Sequence, residues 1–116
     1  MDTLGTSPIR VDGVDKVRGA ARYIDDIDYP GMLYGATVRT RNAGGRLAGL
    51  HFATDFDWSD VVVVTAADIP GENCIKFIDK DHQALASGTF RHAAEAVALV
   101  AHPDRRRLAA ALAAIE

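Results

Sequence analysis

Cysteine is almost missing from this chain of 116 residues. Cys74 stands alone, so no internal disulfide can form, and a lone thiol fits a reducing compartment, which makes a cytoplasmic location the expectation. Long apolar runs are missing too. The longest, Leu108 to Ile115, is far too short to cross a bilayer, and no basic start followed by an apolar run marks an export signal, so neither a membrane nor a secretory route is expected. Nor does one sign of charge dominate. Thirteen basic against sixteen acidic side chains leave −3, which offers no broad basic face for phosphate backbones and argues against nucleic acid as a partner.

What remains is ordinary globular material. Hydrophobic residues make up 48% and charged residues 25%, enough for a core in a chain the size of one domain. No repeat or low-complexity block interrupts it. A single domain spanning residues 1–116 is therefore expected.

The densest stretch runs from Arg10 to Asp26. Asp12-Gly13 and Arg18-Gly19 are turn signals, because glycine accepts positive φ and aspartate hydrogen-bonds nearby backbone. Val14 and Val17 between them are expected to pack inward. Ahead of this stretch, Met1 to Ser7 is small and polar and is expected to carry little order. After it, Tyr29-Pro30-Gly31 makes a turn, and Met32 to Arg39 alternates as a strand, with Tyr34, Ala36 and Val38 on one face.

Asn42 to Gly45 reads as a loop. Arg46 to Phe52 then returns as a second strand, placing Leu47 and Gly49 opposite Ala48 and Leu50, in a hairpin-like arrangement. Thr54 to Asp60 is a turn or short helix in which Phe56 and Trp58 plug the edge of the core. Val61 to Val64, with no polar alternation, predicts a strand buried on both faces. Thr65 to Ile69 predicts one helical turn, capped by Thr65 and stopped at Pro70-Gly71. Cys74 to Ile78 and Ala84 to Ala86 are the candidate strands of the least regular third. Thr89 to His92 starts another, and Val97 to Ala101 is a buried one. Pro103 suits the first turn of a last helix, on which Leu108, Ala111, Leu112 and Ile115 form an apolar stripe while Arg105 to Arg107 face water. Strands followed by one terminal helix predict an α+β fold with a mixed sheet. The helix runs to Glu116 without a cap or polar tail, as expected of a domain cut from a longer chain.

No constellation of reactive groups emerges. Cys74 would need His51, His82, His92 or His102 as its base, but no nucleophile signature surrounds it, and packed inert cysteines are common. Asp79, Asp81, His82 and His92 have the right chemistry for zinc or iron, yet their spacing matches no ligand pattern and a solvated loop explains them better. Gly44-Gly45-Arg46 would cradle an anion only if a helix followed, and a strand is expected there instead. His102 leads into the helix with no chemical role. Glu95, in a small and apolar setting, needs an arginine partner or another domain, since burying it alone is costly.

Three segments resemble the start of the large subunit of the molybdenum hydroxylases, the xanthine dehydrogenase and aldehyde oxidase family. They are Arg10-Val-Asp-Gly-Val-Asp-Lys-Val-Arg-Gly-Ala-Ala-Arg-Tyr23, Pro30-Gly-Met-Leu-Tyr-Gly-Ala-Thr-Val-Arg39 and Thr65-Ala-Ala-Asp-Ile-Pro-Gly-Glu-Asn73. Ala94-Glu-Ala-Val-Ala-Leu-Val-Ala101 follows in the family's order. The chain departs from the pattern where the family has Gly-Glu-Pro-Val and this sequence has Ala94 to Val97, and again at Thr40 to Arg46.

The resemblance implies an α/β hammerhead domain, structural in role and inert alone, in an enzyme with molybdopterin and with iron–sulfur and FAD centres in partner domains or subunits. Xanthine dehydrogenase-like proteins, hypoxanthine oxidases among them, are the finer match. It assigns no catalytic, cofactor-binding or metal residue to this stretch, and it implies an apolar surface that leads the isolated piece to self-associate. Two rival readings are a free-standing interaction module sharing the fold and a small hydrolase built on Cys74.

Overall fold

A computed structural model describes residues 4–76 and 81–116. They form two compact units, Met1–Pro30 and Gly31–Glu116.

The first unit is built from turns. Gly13 N–H bonds back to the Arg10 carbonyl at 3.0 Å and opens helix α1, Gly13–Val17, which closes at Gly19 with φ +70. Positive φ is cheap only for glycine, which explains Arg18-Gly19 as a stop signal. Asp12 is held by Arg10 and by Lys16 at 2.9 Å, and the Arg10 interaction, followed by Lys16, lowers its carboxyl from the ordinary value. A 3₁₀ turn, Ile24–Asp26, follows, with Asp26 Oδ2 accepting from Tyr23 N–H at 3.0 Å. The expectation that Val14 and Val17 pack inward is corrected: they are 46% and 86% exposed. Five helical residues make little more than one turn, too short for this α1 to bury a face of its own. Of the segment expected to carry little order, Met1 to Thr3 lie outside the described residues.

The second unit holds a three-stranded antiparallel sheet in the order β1, β5, β3, where β1 is Tyr34–Arg39, β5 is Ala96–His102 and β3 is Val62–Thr65. Tyr34 pairs with His102 and Val38 with Ala98, while Val62 pairs with Ala101 on the other side. The small sheet pairs β2, Gly45–Arg46, with β4, Thr89–Phe90. Helix α2, Arg105–Ala113, packs on β5 and β1. This is the α+β architecture with a C-terminal helix that the strand order predicts, but the expected mixed sheet is corrected, since every pairing of the described strands is antiparallel.

Two core clusters hold it together. Val100, Leu108 and Ala111 meet Tyr34, Ala36 and Val38 from β1, together with Phe56 and Trp58. The predicted β1 face is realised, as is the α2 stripe of Leu108, Ala111 and Leu112, while Ile115 reaches the cluster from beyond the helix end, and the two aromatics stack edge to face at 4.6 Å. Trp58 Nε1 is satisfied by the Ala53 carbonyl at 3.0 Å. The second cluster joins Ala86, Phe90 and Val97 with Leu47 and Leu50.

Several expectations are corrected. The valine run is an edge strand, with Val62 47% exposed, and the strand paired along both edges is β5, whose Leu99 is nevertheless 45% exposed where the sequence predicts burial. Continuous valine reports affinity for a sheet, not position within it. The return from Arg46 to Phe52 is regular only at its ends, in β2 and in an isolated bridge of Phe52 with Ile115, and β1 pairs with β5 rather than with it. Leu47 and Leu50 reach the same cluster, which an alternating strand would not allow. Ala84 to Ala86 is a buried loop segment, not a strand. Pro103 precedes α2 rather than entering it: Asp104 is the N-cap, accepting from Arg106 and Arg107 N–H at 2.6 and 3.2 Å. The far end of α2 is also tied, since His51 and Glu116 exchange backbone hydrogen bonds at 2.7 and 2.9 Å.

Candidate functional site

The sequence candidates are scattered. Cys74 is half-buried, and no hydrogen bond among the described residues joins its sulfur to an imidazole. His82 is exposed and bridges Ile75 through its backbone, and His92 Nδ1 lies 2.8 Å from the Ala93 carbonyl. Asp81 pairs with Arg91 at 3.4 Å, and Asp79 lies outside the described residues. No group of three or more His, Cys, Asp and Glu able to hold a metal occurs among the described residues.

Glu95 is buried at 5% exposure and accepts from Arg91 N–H at 2.6 Å. Its partner is a backbone amide, not an arginine side chain. That bond, with a smaller contribution from His92 N–H, lowers its carboxyl below the ordinary range. Ala94 before it has φ +68, an unusual value for a residue with a Cβ. The conformation places the Ala94 carbonyl 2.7 Å from Arg39 Nη1 and its N–H 2.9 Å from the Thr40 carbonyl. The glycine of the family pattern at this position is a signal visible in sequence, whereas the Arg39 and Thr40 contacts are not. The Arg39 contact crosses 55 residues.

A second cluster has no signal in the sequence. His102 is 6% exposed, with Nδ1 accepting from Asp104 N–H at 2.8 Å and Nε2 3.2 Å from Asp60 Oδ2. A carboxylate oxygen can only accept, so Nε2 is the donor of the contact with Asp60. Asp60 is lowered first by His102 and then by Arg107, which lies 3.3 Å away. Arg107 also donates to the Asp57 carbonyl at 2.6 Å and covers the Phe56 ring, and Arg105 covers Tyr34 at 4.3 Å, so the arginine run is not simply turned to water. These contacts tie α2 to the loop before β3. They position an element; no reacting group faces them.

A groove of about 600 Å³ lies among the described residues of the second unit. Leu47, Leu50, Leu112 and Ile115 line its apolar part, and Arg41 and Arg46 stand at it with neither guanidinium paired among the described residues. Gly44-Gly45-Arg46 borders it as a turn running into β2, not as an anion loop. The Gly45 position is close-packed, since a Cβ there would lie 3.2 Å from the Phe90 ring. Chemically the groove offers apolar area and mainly positive charge, with Arg39, Arg41 and Arg46 set against Glu116.

Residues 18–116 match the family model described as "Aldehyde oxidase and xanthine dehydrogenase, a/b hammerhead domain". The chain is 32% identical over 111 residues to a probable xanthine dehydrogenase subunit of Bacillus subtilis (strain 168), covering 95% of this chain and 15% of that protein. It is 33% identical over 100 residues to the nicotinate dehydrogenase large molybdopterin subunit of Eubacterium barkeri, covering 84% and 23%. CO dehydrogenase from Oligotropha carboxidovorans superposes with a TM-score of 0.84 at 29% identity, over 97% of this chain and 14% of its own. The chain therefore spans less than a quarter of the length of either curated relative.

Proposed function

The chain belongs to the aldehyde oxidase and xanthine dehydrogenase family as its α/β hammerhead domain, and from that premise we propose that it is one structural domain of a molybdenum-dependent hydroxylase, inert alone. The observation that carries this reading is the near-complete match to one domain set against the small share of each relative that it covers.

The enzyme's work is oxidation of an electron-poor ring or aldehyde carbon. The relatives named for xanthine and nicotinate favour a nitrogen heteroaromatic substrate, with hypoxanthine among the first to try. Molybdopterin belongs to the parent by the same kinship, and iron–sulfur and FAD centres are proposed for partner domains or subunits. The described residues do not fit a role in holding the molybdenum group. They contain no ligand cluster, and no buried side-chain nitrogen or oxygen among them lacks a partner. The proposed role of this chain is structural, with the catalytic residues in other parts of the parent. No described helix is long and apolar enough to cross a membrane. The lone thiol supports a cytoplasmic location for the enzyme.

Exposed Leu4, Ile9, Val11 and Val17 support a surface that other parts of the parent cover, and self-association of the isolated chain. The test is kinetic: in the purified parent enzyme, Cys74→Ser and His82→Gln are expected to leave kcat unchanged on a purine, nicotinate and aldehyde panel. Loss of turnover with unaltered folding in either variant would remove the structural reading.

A further inference from the structure

The backbone beside the groove starts a ladder that it does not finish. Ala53 N–H bonds to the Ala114 carbonyl at 2.9 Å, Phe52 bridges Ile115, and His51 exchanges both hydrogen bonds with Glu116. These three pairs run antiparallel in constant register, each step back along 53–51 matching a step forward along 114–116. In antiparallel pairing, doubly bonded pairs recur every second residue. The next such pair would use Gly49. Yet residues 48–50 make no backbone hydrogen bond among the described residues, and the space around Gly49 where a Cβ would point is empty to 4 Å. Unpaired backbone next to an apolar groove is a template for strand addition.

The charge at the site narrows the partner. Arg41 and Arg46 both line the groove, where Glu116 is the one acidic lining residue, and neither arginine has an acidic partner among the described residues. Leu47, Leu50 and Ile115 supply apolar contact.

We propose that this groove seats an extended, acidic strand supplied by the rest of the parent polypeptide, added antiparallel to residues 48–50 and continuing the ladder begun by His51 and Glu116. The proposal rests on the reading of this chain as one domain of a larger enzyme. Main-chain bonds to Gly49 would give the register, and carboxylates facing Arg41 and Arg46 would give the preference.

The experiment uses the chain itself. Val-Glu-Val-Glu is appended directly after Glu116, Val-Lys-Val-Lys is appended in a second version, and amide exchange is followed residue by residue. The acidic extension is expected to slow exchange at Gly49 by at least about tenfold, as pairing of an open backbone amide requires. The lysine version should slow it less, and Arg41→Ala with Arg46→Ala should abolish the difference between the two. Unchanged Gly49 exchange with both extensions would overturn the proposal, as would equal slowing by the two charges. Because the readout needs neither cofactor nor turnover, its failure is distinguishable from failure of the enzyme assignment.

Discussion

The side-chain amide of Asn73 pairs with both backbone groups of Leu85, donating to its carbonyl at 2.6 Å and accepting from its N–H at 3.0 Å. The amide thus plays the part of a neighbouring strand for a residue that is 4% exposed. Asn73→Ala leaves two buried backbone groups unpaired and is expected to cost about 2–3 kcal/mol. Urea denaturation checks this, with a lower midpoint and an unchanged slope expected. A shift no larger than that of a surface substitution would show that water replaces the amide without loss.

Ala94 is the position where a glycine should do better. At φ +68 a Cβ costs about 1–2 kcal/mol, against about 0.5–1 kcal/mol for the extra chain entropy of glycine. Ala94→Gly is therefore expected to stabilise the chain by about 0.5–1 kcal/mol. Thermal unfolding should show a higher Tm, and a lower one would mean that the methyl group makes contacts outweighing the strain.

Glu95 makes stability depend on acid. Its carboxyl, ordinarily near 4.5, is lowered in the fold, first by Arg91 N–H. The unfolded chain then binds the proton more readily than the native one. The contribution is present above pH 4.5 and is lost as pH falls through the lower folded value. Glu95→Gln should be less stable than the parent sequence at neutral pH, and the gap should narrow as pH falls below 4.5. A gap independent of pH would mean that the ionised carboxylate is not what Arg91 N–H recognises.

Asp104 caps α2 through Arg106 and Arg107 N–H, and its own N–H reaches His102 Nδ1. Asp104→Ala is expected to lower Tm by about 5 °C, while Asp104→Asn, which keeps the accepting oxygen, should change it little. Equal effects would shift the weight from the cap to the carboxylate charge.

Much of this fold is legible from local pattern. The alternation of Tyr34, Ala36 and Val38, the apolar run of β5 and the stripe of Leu108, Ala111 and Leu112 appear where the pattern puts them, whereas Leu99 in that run is 45% exposed and Ile115 lies past the end of α2. Thr65 likewise predicts its turn, with Asp68 Oδ2 accepting from its N–H and hydroxyl at 2.7 and 2.8 Å. What could not be read depends on partners far away in sequence. Val61 to Val64 has the composition of a buried strand, but whether a second neighbour covers it is decided elsewhere. Residues 46–52 carry a strand pattern without a strand beside most of their length, so the pattern remains while the ladder is confined to the ends.

The candidate chemistry divides the same way. Of Asp79, Asp81, His82 and His92, the fold pairs Asp81 with Arg91, and Asp79 lies outside the described residues. The His102 contact with Asp60 spans 42 residues, so nothing near His102 announces it. His102 looks from sequence like an ordinary step into the helix, whereas the fold makes it a buried link between α2 and the loop before β3.

The central claim is that this chain serves a molybdenum hydroxylase as scaffold and holds none of its chemistry. Metal analysis tests it most directly: the parent enzyme and the 116-residue chain are each produced in a host that makes molybdopterin, purified, checked for folding by circular dichroism and assayed for molybdenum per polypeptide. Molybdenum is expected in the parent at near-stoichiometric amounts and is expected to be absent from the folded chain. A folded chain that retains molybdenum stoichiometrically, or a fully folded parent that contains none, would contradict it.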